Sequence, residues 1–222
     1  MQLAMTDVNQ RLAEKHAVQL EMGIGIHTGR VIVGNIGSLR RTKYAAVGSN
    51  VNLTGRVESF STGGQVLITE ETRTRIEAPL RIDGQFQVEP KGAEGSLLLF
   101  EIGAIGQPFA LSLPSRSAPL RVLTEPLPVQ FTTLEEKFLG HSLHDGYLIE
   151  LSDVEMRVSS SHVPAVLSNL RITVAPSPHG NPAGEIYGKV VDASAGTPGL
   201  ARIRFTSTTP ELKAWVTAWY SA

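Results

Sequence analysis

The feature that most constrains this chain is a proline-rich stretch near its middle. Residues 107–129 read QPFALSLPSRSAPLRVLTEPLPV, with five prolines and no helical period. Proline fixes its own φ angle and lacks a backbone N–H, so such a run interrupts helices and central strands. The stretch therefore predicts a linker at 107–128 that separates two folded parts, 1–106 and 129–222.

The first part mixes helical and strand patterns. Apolar residues at helical spacing predict an amphipathic helix over 3–18 and a second helix from Asn50. The runs LEMGIGIHTG and RVIVGNIG flank a turn at 27–30 and predict a hairpin, which KYAAV extends or follows as the next strand. QVLIT predicts a strand, ETRTRIEAPL a short helix, and FQVEPKG with SLLLFEIGAI a further hairpin. The pattern is that of an α+β domain with a largely antiparallel sheet.

The second part is rich in β signals and ends in a helix. A small barrel or sandwich is predicted from five runs at short intervals: GYLIELS, EMRVSSS, NLRITVAPS, GEIYGKVVDAS and LARIRFTSTT. The closing segment PELKAWVTAWYSA has Pro210 in its first turn. Leu212, Trp215, Val216 and Trp219 then share one face of the helix.

Composition excludes several classes of protein. Lys plus Arg is 20 and Asp plus Glu is 21 in 222 residues. This near balance gives no electrostatic reason to predict binding to nucleic acid or to an anionic membrane. There is no cysteine, hence no disulfide and no thiolate metal site. No apolar run reaches the roughly 18 residues of a membrane helix, and the first residues lack signal-peptide features. We expect a cytoplasmic chain, or the cytoplasmic piece of a longer one.

Asn52 and Arg56 are the strongest site candidates. Residues four apart stack on one helix face, so an amide and a guanidinium would project together. That pair suits an anionic, hydrogen-bonding ligand such as a nucleoside triphosphate. The alternative is a helix-start asparagine and a solvated arginine.

Glycines and histidines give weaker signals. GNIGS is neither GxGxxG nor a P-loop, so a strand end before a basic turn is the better interpretation. Gly23 and Gly25 alternate with isoleucines in a predicted strand, where they would let a helix or neighbouring chain approach closely. His27 lies at a turn, and nothing near it in sequence makes it a metal ligand or base.

The stretch LEMGIGIHTGRVIVGNIGSLRRTKYAAVGSNVNLTGRVESF resembles the second half of a class III adenylate/guanylate cyclase catalytic domain. The similarity continues through QVLITEET and VEPKGAEGSLLLFEI to about residue 105. It implies a partial ferredoxin-like domain and a site between two head-to-tail chains. One chain contributes two aspartates that hold Mg²⁺ or Mn²⁺. The other contributes an asparagine that fixes the ribose, here Asn52, and an arginine that stabilises phosphate charge, here Arg56.

The resemblance also implies substrate-binding positions at Ala45, Gly48 and Lys91. Family members often have Asp or Thr where Ala45 stands, and alanine cannot read a base through its side chain. The choice between ATP and GTP is therefore left open. Lys91-Gly92 is followed by Ala93 where the family usually has a phosphate-binding Lys or Arg.

The family's metal-binding aspartate phrases have no counterpart here. Asp7 lies in the opening helix, and the next aspartate is Asp83. We assign no metal ligand to this chain and expect it to be inactive alone, either as a piece of a longer enzyme or as a degenerate member. Its partners would be ATP or GTP and a second copy or an intact cyclase chain. Without the preceding strands, an apolar edge or face should be exposed.

The tail resembles PilZ-type β-barrels, many of which bind cyclic di-GMP. The similar phrases are LIELSDVEMR, GEIYGKVV and RIRFTS. The usual arginine pair before the barrel is missing, and Glu150 and Glu155 stand in the acidic and glycine places around Ser152. Because guanidinium groups do most of the phosphate recognition, nucleotide binding is not expected. A generic barrel without a ligand is the alternative.

The leading hypothesis is thus a class III nucleotide cyclase that forms a cyclic 3′,5′-monophosphate and pyrophosphate, with a PilZ-like regulatory barrel. The first alternative is a non-catalytic regulatory or dimerisation protein derived from a cyclase. The second is a cyclic di-GMP receptor.

Overall fold

The computed structural model describes residues 1–15, 20–38, 40–89, 95–114, 119–135, 138–139, 142–176, 184–193, 199–207 and 209–221. The chain divides into two compact units, Met1–Ser115 and Arg116–Ala222.

The first unit is α+β, as the sequence pattern predicted. Its elements are α1 (Gln2–Glu14), β1 (Ile24–Ile26), β2 (Ile32–Ser38), β3 (Arg41–Val47), α2 (Ser49–Phe60), β4 (Val66–Thr69), α3 (Glu70–Arg73), β5 (Leu80–Val88), β6 (Leu97–Ile105) and β7 (Leu111–Ser112). Helix α1 is shorter than the predicted 3–18; residues 16–19 lie outside the described part. Helix α3 is also shorter than predicted, and the GNIGS segment lies in β2.

The main sheet has the order β1-β4-β6-β5, with β7 also paired to β6. Strands β4, β5, β6 and β7 pair antiparallel, whereas β1 pairs parallel to β4, with Gly25 opposite Leu67. The predicted hairpin between β1 and β2 is wrong. Strand β2 instead pairs with β3, with Gly34 opposite Ala45, in a separate two-stranded sheet. The turn at 27–30 thus leads away from the main sheet.

The core of the first unit is built on the main sheet, and Val57 of α2 belongs to it. Its buried apolar side chains are Val57, Leu67, Ile68, Phe86, Val88, Leu99 and Phe100. Beside them Gln65 Nε2 donates a 2.9 Å hydrogen bond to Glu101 Oε2, which satisfies two polar groups inside the unit.

Apolar surface remains uncovered on the first unit, as predicted. Ile32 is 69% exposed, Val33 53% and Tyr44 77%, all on the β2–β3 hairpin. Helix α1 buries none of its residues fully. A two-stranded hairpin is marginally stable alone, so this surface suits an interface.

The second unit is a closed barrel, which is one of the two architectures, barrel or sandwich, that the sequence predicted. Its elements are β8 (Arg121–Glu135), β9 (Phe138–Leu139), β10 (His144–Leu151), β11 (Glu155–Ser159), β12 (Asn169–Val174), β13 (Ile186–Asp192), β14 (Leu200–Phe205) and α4 (Pro210–Ser221). Six strands follow the order β10-β11-β14-β13-β12-β8, and β8 pairs back to β10 to close the ring. Closure removes the open sheet edges.

Part of the predicted linker is strand. Strand β7 pairs with β6 at Leu111, and β8 begins at Arg121. Pro126 and Pro128 fit in β8 because the strand pairs with β12 only from Val129 onwards, so the prolines lie where the ladder to β12 has not yet begun. The carbonyl of Pro128 still accepts from the N–H of Ala175 at 2.9 Å.

Candidate functional site

Helix α2 carries the predicted catalytic pair. The helix begins after Gly48, whose φ of 140° is a conformation that favours glycine. The N–H groups of Val51 and Asn52 both bond to the carbonyl of Gly48, at 3.1 and 3.4 Å. Asn52 is exposed and Arg56 is half-buried. The spacing of one helical turn places both on one face of the helix.

Neither side chain is engaged elsewhere in the described part of the chain. Within the described residues, the backbone N–H of Asn52 and the backbone carbonyl of Arg56 form hydrogen bonds. The side-chain amide of Asn52 and the guanidinium of Arg56 form none among those residues. An amide offers two donors and an acceptor, and a guanidinium offers five donors in a planar fork. The pair could therefore bind a ribose hydroxyl and a phosphate oxygen.

The start of α2 is tied to a buried histidine. His27 Nε2 lies 3.1 Å from Asn50 Oδ1, and Asn50 Nδ2 donates to the carbonyl of Arg30 at 2.8 Å. On the other side, His27 Nδ1 lies 2.9 Å from Thr69 Oγ1, the capping residue of α3. The histidine side chain is only 4% exposed and lies 3.9 Å from Glu71 Oε2. One imidazole thus joins the first turns of two helices.

Glu71 is held in its charged form at the start of α3. Its pKa lies below the usual value, first because the carboxylate accepts a hydrogen bond from its own backbone N–H. The Thr69 hydroxyl, His27 and Arg75 lower the pKa further, while partial burial opposes them. A carboxylate at a helix N-terminus is electrostatically favourable.

Two glycines bring the backbone close to α2. A Cβ atom on Gly25 would lie 2.2 Å from the backbone nitrogen of Glu58, inside the helix. A Cβ atom on Gly29 would lie 2.4 Å from Asn50 Cγ. The expectation that the strand glycines permit close approach of a helix is confirmed at Gly25.

Two of the three predicted substrate-binding positions, Ala45 and Gly48, lie in the described part of the chain. Gly48 precedes α2 directly, and Ala45 is half-buried on β3, three residues earlier in the chain. Lys91 lies outside the described residues. Ala45 thus lies on β3, and Gly48 lies between β3 and α2, the helix that carries Asn52 and Arg56.

The connection between His27 and Asn50 is not predicted by the sequence pattern. His27 is 23 positions from Asn50 and 42 positions from Thr69 in the chain, so a local sequence pattern does not predict these hydrogen bonds. The one local signal is a histidine followed by Thr-Gly in a turn between two glycine-rich strands, and that pattern predicts only a turn residue.

The described residues do not fit a metal centre. Among them, no group of three or more His, Asp or Glu side chains is placed to hold an ion. In the same described part, no helix is both long enough and apolar enough to cross a membrane.

The acidic residues of the PilZ-like phrase are engaged within the barrel. Ser152 Oγ accepts from the N–H of Glu155 at 2.9 Å. Glu155 is buried and accepts from Arg204 Nε at 2.9 Å, while Glu150 accepts from Arg157 Nη1 at 2.8 Å. Both carboxylates thus form charge-assisted hydrogen bonds with guanidinium groups of the barrel itself.

Comparison with known proteins concerns the first unit. Residues 1–97 match the family described as the adenylate and guanylate cyclase catalytic domain. An adenylate cyclase of Anabaena cylindrica is 30% identical over 92 residues, 39% of this chain and 18% of the relative. One from Mycobacterium bovis is 34% identical over 92 residues, 40% of this chain and 20% of the relative. The chain thus spans a fifth or less of these relatives.

Two solved structures are also similar. A guanylyl cyclase structure shows 45% identity and a TM-score of 0.48, covering 51% of this chain and 57% of the other. An adenylyl cyclase, CyaB from P. aeruginosa, shows 30% identity and a TM-score of 0.41, covering 46% and 52%. The likeness of the barrel to PilZ-type domains stays a prediction. The cyclase resemblance of the amino-terminal part is confirmed: residues 1–97 match the adenylate/guanylate cyclase catalytic domain family.

Proposed function

We propose that the first unit contributes Asn52 and Arg56 to a class III nucleotide cyclase site. The observation that carries the proposal is an exposed asparagine and a half-buried arginine, one turn apart on α2, within residues that match the cyclase catalytic family. The substrate class is a purine nucleoside triphosphate, ATP or GTP.

The reaction joins the ribose 3′-oxygen to the α-phosphorus and releases pyrophosphate. As the 3′-hydroxyl attacks, its proton passes to water, and the bond from the α-phosphorus to the bridging oxygen breaks so that pyrophosphate leaves with the electron pair. Negative charge is redistributed over the phosphate oxygens, where a positioned guanidinium stabilises the transition state. Arg56 takes this role, while the Asn52 amide orients the ribose.

The metal ligands would come from a complementing polypeptide. A cyclase chain that provides the two aspartates would bind Mg²⁺ or Mn²⁺, which neutralises phosphate charge. Ala45 has no polar side-chain atom, so base selection falls to other groups. Under this proposal, the exposed apolar hairpin β2–β3 belongs to the surface that meets the complementing chain.

The test is complementation. The chain is mixed with a cyclase that keeps both metal aspartates but lacks its own asparagine and arginine, and cyclic AMP and cyclic GMP are measured. We expect product with the unaltered chain. Arg56→Ala should lower kcat by about 10²- to 10³-fold, the range for removing one transition-state donor.

Arg11→Ala is the matched control, because Arg11 is exposed on α1 of the same unit. Its rate should equal that of the unaltered chain. Product formation that survives Arg56→Ala would contradict the catalytic role. Failure of the unaltered chain to restore product would favour the alternative, a non-catalytic regulatory or dimerisation protein.

A further inference from the structure

We infer that His27 is a positioning residue, which holds the first turn of α2 and so sets where Asn52 and Arg56 are presented. This inference rests on the proposed function for its catalytic consequence. Its structural basis is separate and lies in the bonds of the imidazole to Asn50 and Thr69.

The direction of these hydrogen bonds follows from their partners. Asn50 Nδ2 donates to the carbonyl of Arg30, so Asn50 Oδ1 is the oxygen that faces His27. An amide oxygen only accepts, hence His27 Nε2 carries a proton and donates. His27 Nδ1 pairs with the Thr69 hydroxyl at 2.9 Å. The two partners of the ring are thus Asn50 in the first turn of α2 and Thr69, the last residue of β4 and the N-cap of α3.

The neighbouring backbone leaves Asn50 little freedom. A Cβ atom on Gly29 would overlap the Asn50 amide at 2.4 Å, so the turn backbone lies directly against that side chain. Further along α2, Thr54 Oγ1 donates to the Asn50 carbonyl at 2.8 Å. Thr54 lies midway between Asn52 and Arg56. The histidine therefore acts on the segment of α2 that carries the catalytic pair.

Removing the imidazole nitrogens would take a hydrogen-bond partner from the half-buried Asn50 amide. The His27 side chain itself is 4% exposed, so its place lies inside the unit. Loss of this bond leaves the first turn of α2 less firmly held. A displacement of about 1 Å in a positioning element can cost about 10²-fold in rate.

Three variants separate positioning from general stability. His27→Phe keeps the ring and removes both nitrogens. His27→Gln keeps a side-chain N–H at similar reach towards Asn50. Thr28→Val is the matched control, because the Thr28 hydroxyl lies 3.0 Å from Thr72 Oγ1 and so ties the same turn to α3, not to α2.

The first readout is complementation of the metal-bearing cyclase. His27→Phe should lower kcat by about 10- to 100-fold, and His27→Gln should recover most of the loss, since a positioning defect acts through Arg56. Thr28→Val should leave kcat within about twofold, because it breaks one hydrogen bond to Thr72 of α3 and none to α2. Equal kcat losses in His27→Phe and Thr28→Val would overturn the inference.

The second readout needs no catalysis. Amide hydrogen exchange of the full chain should be faster at residues 53–56 in His27→Phe than in Thr28→Val or His27→Gln. Unchanged exchange there would overturn the inference even if activity fell. If Arg56→Ala has no effect on product, the proposed function fails, while hydrogen exchange still decides whether His27 holds α2. If Arg56→Ala removes activity and both His27 variants keep it, only this inference fails.

Discussion

Gly25 shows how one missing side chain positions α2. The backbone atoms of Val57 and Glu58 lie where a Cβ atom on Gly25 would stand, at 2.7 and 2.2 Å. These are backbone contacts, so no flexible side chain can turn aside to relieve an overlap. The glycine thus sets the distance between β1 and the helix that carries Asn52 and Arg56.

Gly25→Ala should destabilise the first unit. The added methyl group must push α2 from β1, and overpacking of this kind costs about 1 to 3 kcal/mol. Thermal unfolding of the full chain, followed by calorimetry, would show the transition of the first unit at a lower temperature. An unchanged transition would mean that the close packing of α2 on β1 is wrong.

Gly55→Ala is the opposite substitution on the same helix. A Cβ atom on Gly55 meets no heavy atom within 4 Å, and the residue is in the middle of α2. Alanine should therefore stabilise the unit by about 0.5 to 1 kcal/mol, because glycine loses more backbone entropy in a helix. If Gly25→Ala lowers the stability of the unit and Gly55→Ala raises it, the loss at Gly25 is a packing effect and not a general effect of alanine.

At the scale of elements, α4 completes the barrel. Leu212 is 4% exposed, Trp215 3% and Val216 2%, and all three belong to the barrel core. Trp219 packs against that core, with its ring 6.4 Å from that of Trp215. The predicted apolar face of this helix is confirmed, and α4 contributes to the core of the second unit.

Trp215→Ala should cost the second unit about 3 to 5 kcal/mol, the range for truncating a large buried aromatic. The measurement is urea unfolding followed by the fluorescence of Trp219. Lys213→Ala on the exposed side of α4 is the control, and it should change stability by no more than about 0.5 kcal/mol. A small effect of Trp215→Ala would contradict the place of α4 in the core.

At the scale of the whole molecule, the two units differ in how well their apolar surfaces are covered. The barrel closes on itself around a continuous core. The first unit leaves β1 paired on one side within the described residues, and its β2–β3 hairpin exposes Ile32, Val33 and Tyr44. Exposed apolar surface of this kind favours association.

We expect the chain to self-associate through the β2–β3 hairpin. The double substitution Ile32→Asp with Val33→Asp should weaken association at least about tenfold, since each buried apolar side chain contributes roughly 1.5 to 3 kcal/mol and 1.4 kcal/mol is tenfold. Sedimentation velocity over a range of protein concentrations would measure the strength of self-association of the unaltered chain and of the variant.

Val122→Asp is the matched control, because Val122 is 76% exposed on β8 of the second unit. It should associate like the unaltered chain. A monomeric unaltered chain at every concentration would contradict the prediction, and equal weakening by both substitutions would mean that the hairpin is not the contact.

Local patterns in the sequence were enough for many elements and for the candidate pair. The one-turn spacing of Asn52 and Arg56 follows from helix geometry once a helix over this segment is predicted. The apolar face of α4 and the short barrel strands likewise follow from periods of 3.6 and 2 residues. These features depend on neighbours in the chain, so the sequence alone determines them.

Only the tertiary structure decided which elements meet. The three residues Ile24–Ile26 look like half of a hairpin, yet their partner is β4, forty-two positions further along at Val66. The bonds of His27 to Asn50 and Thr69, and the closure of the barrel by β8 on β10, are of the same kind. Such pairings depend on which apolar faces can be buried together, and that is a property of the whole fold rather than of any short segment.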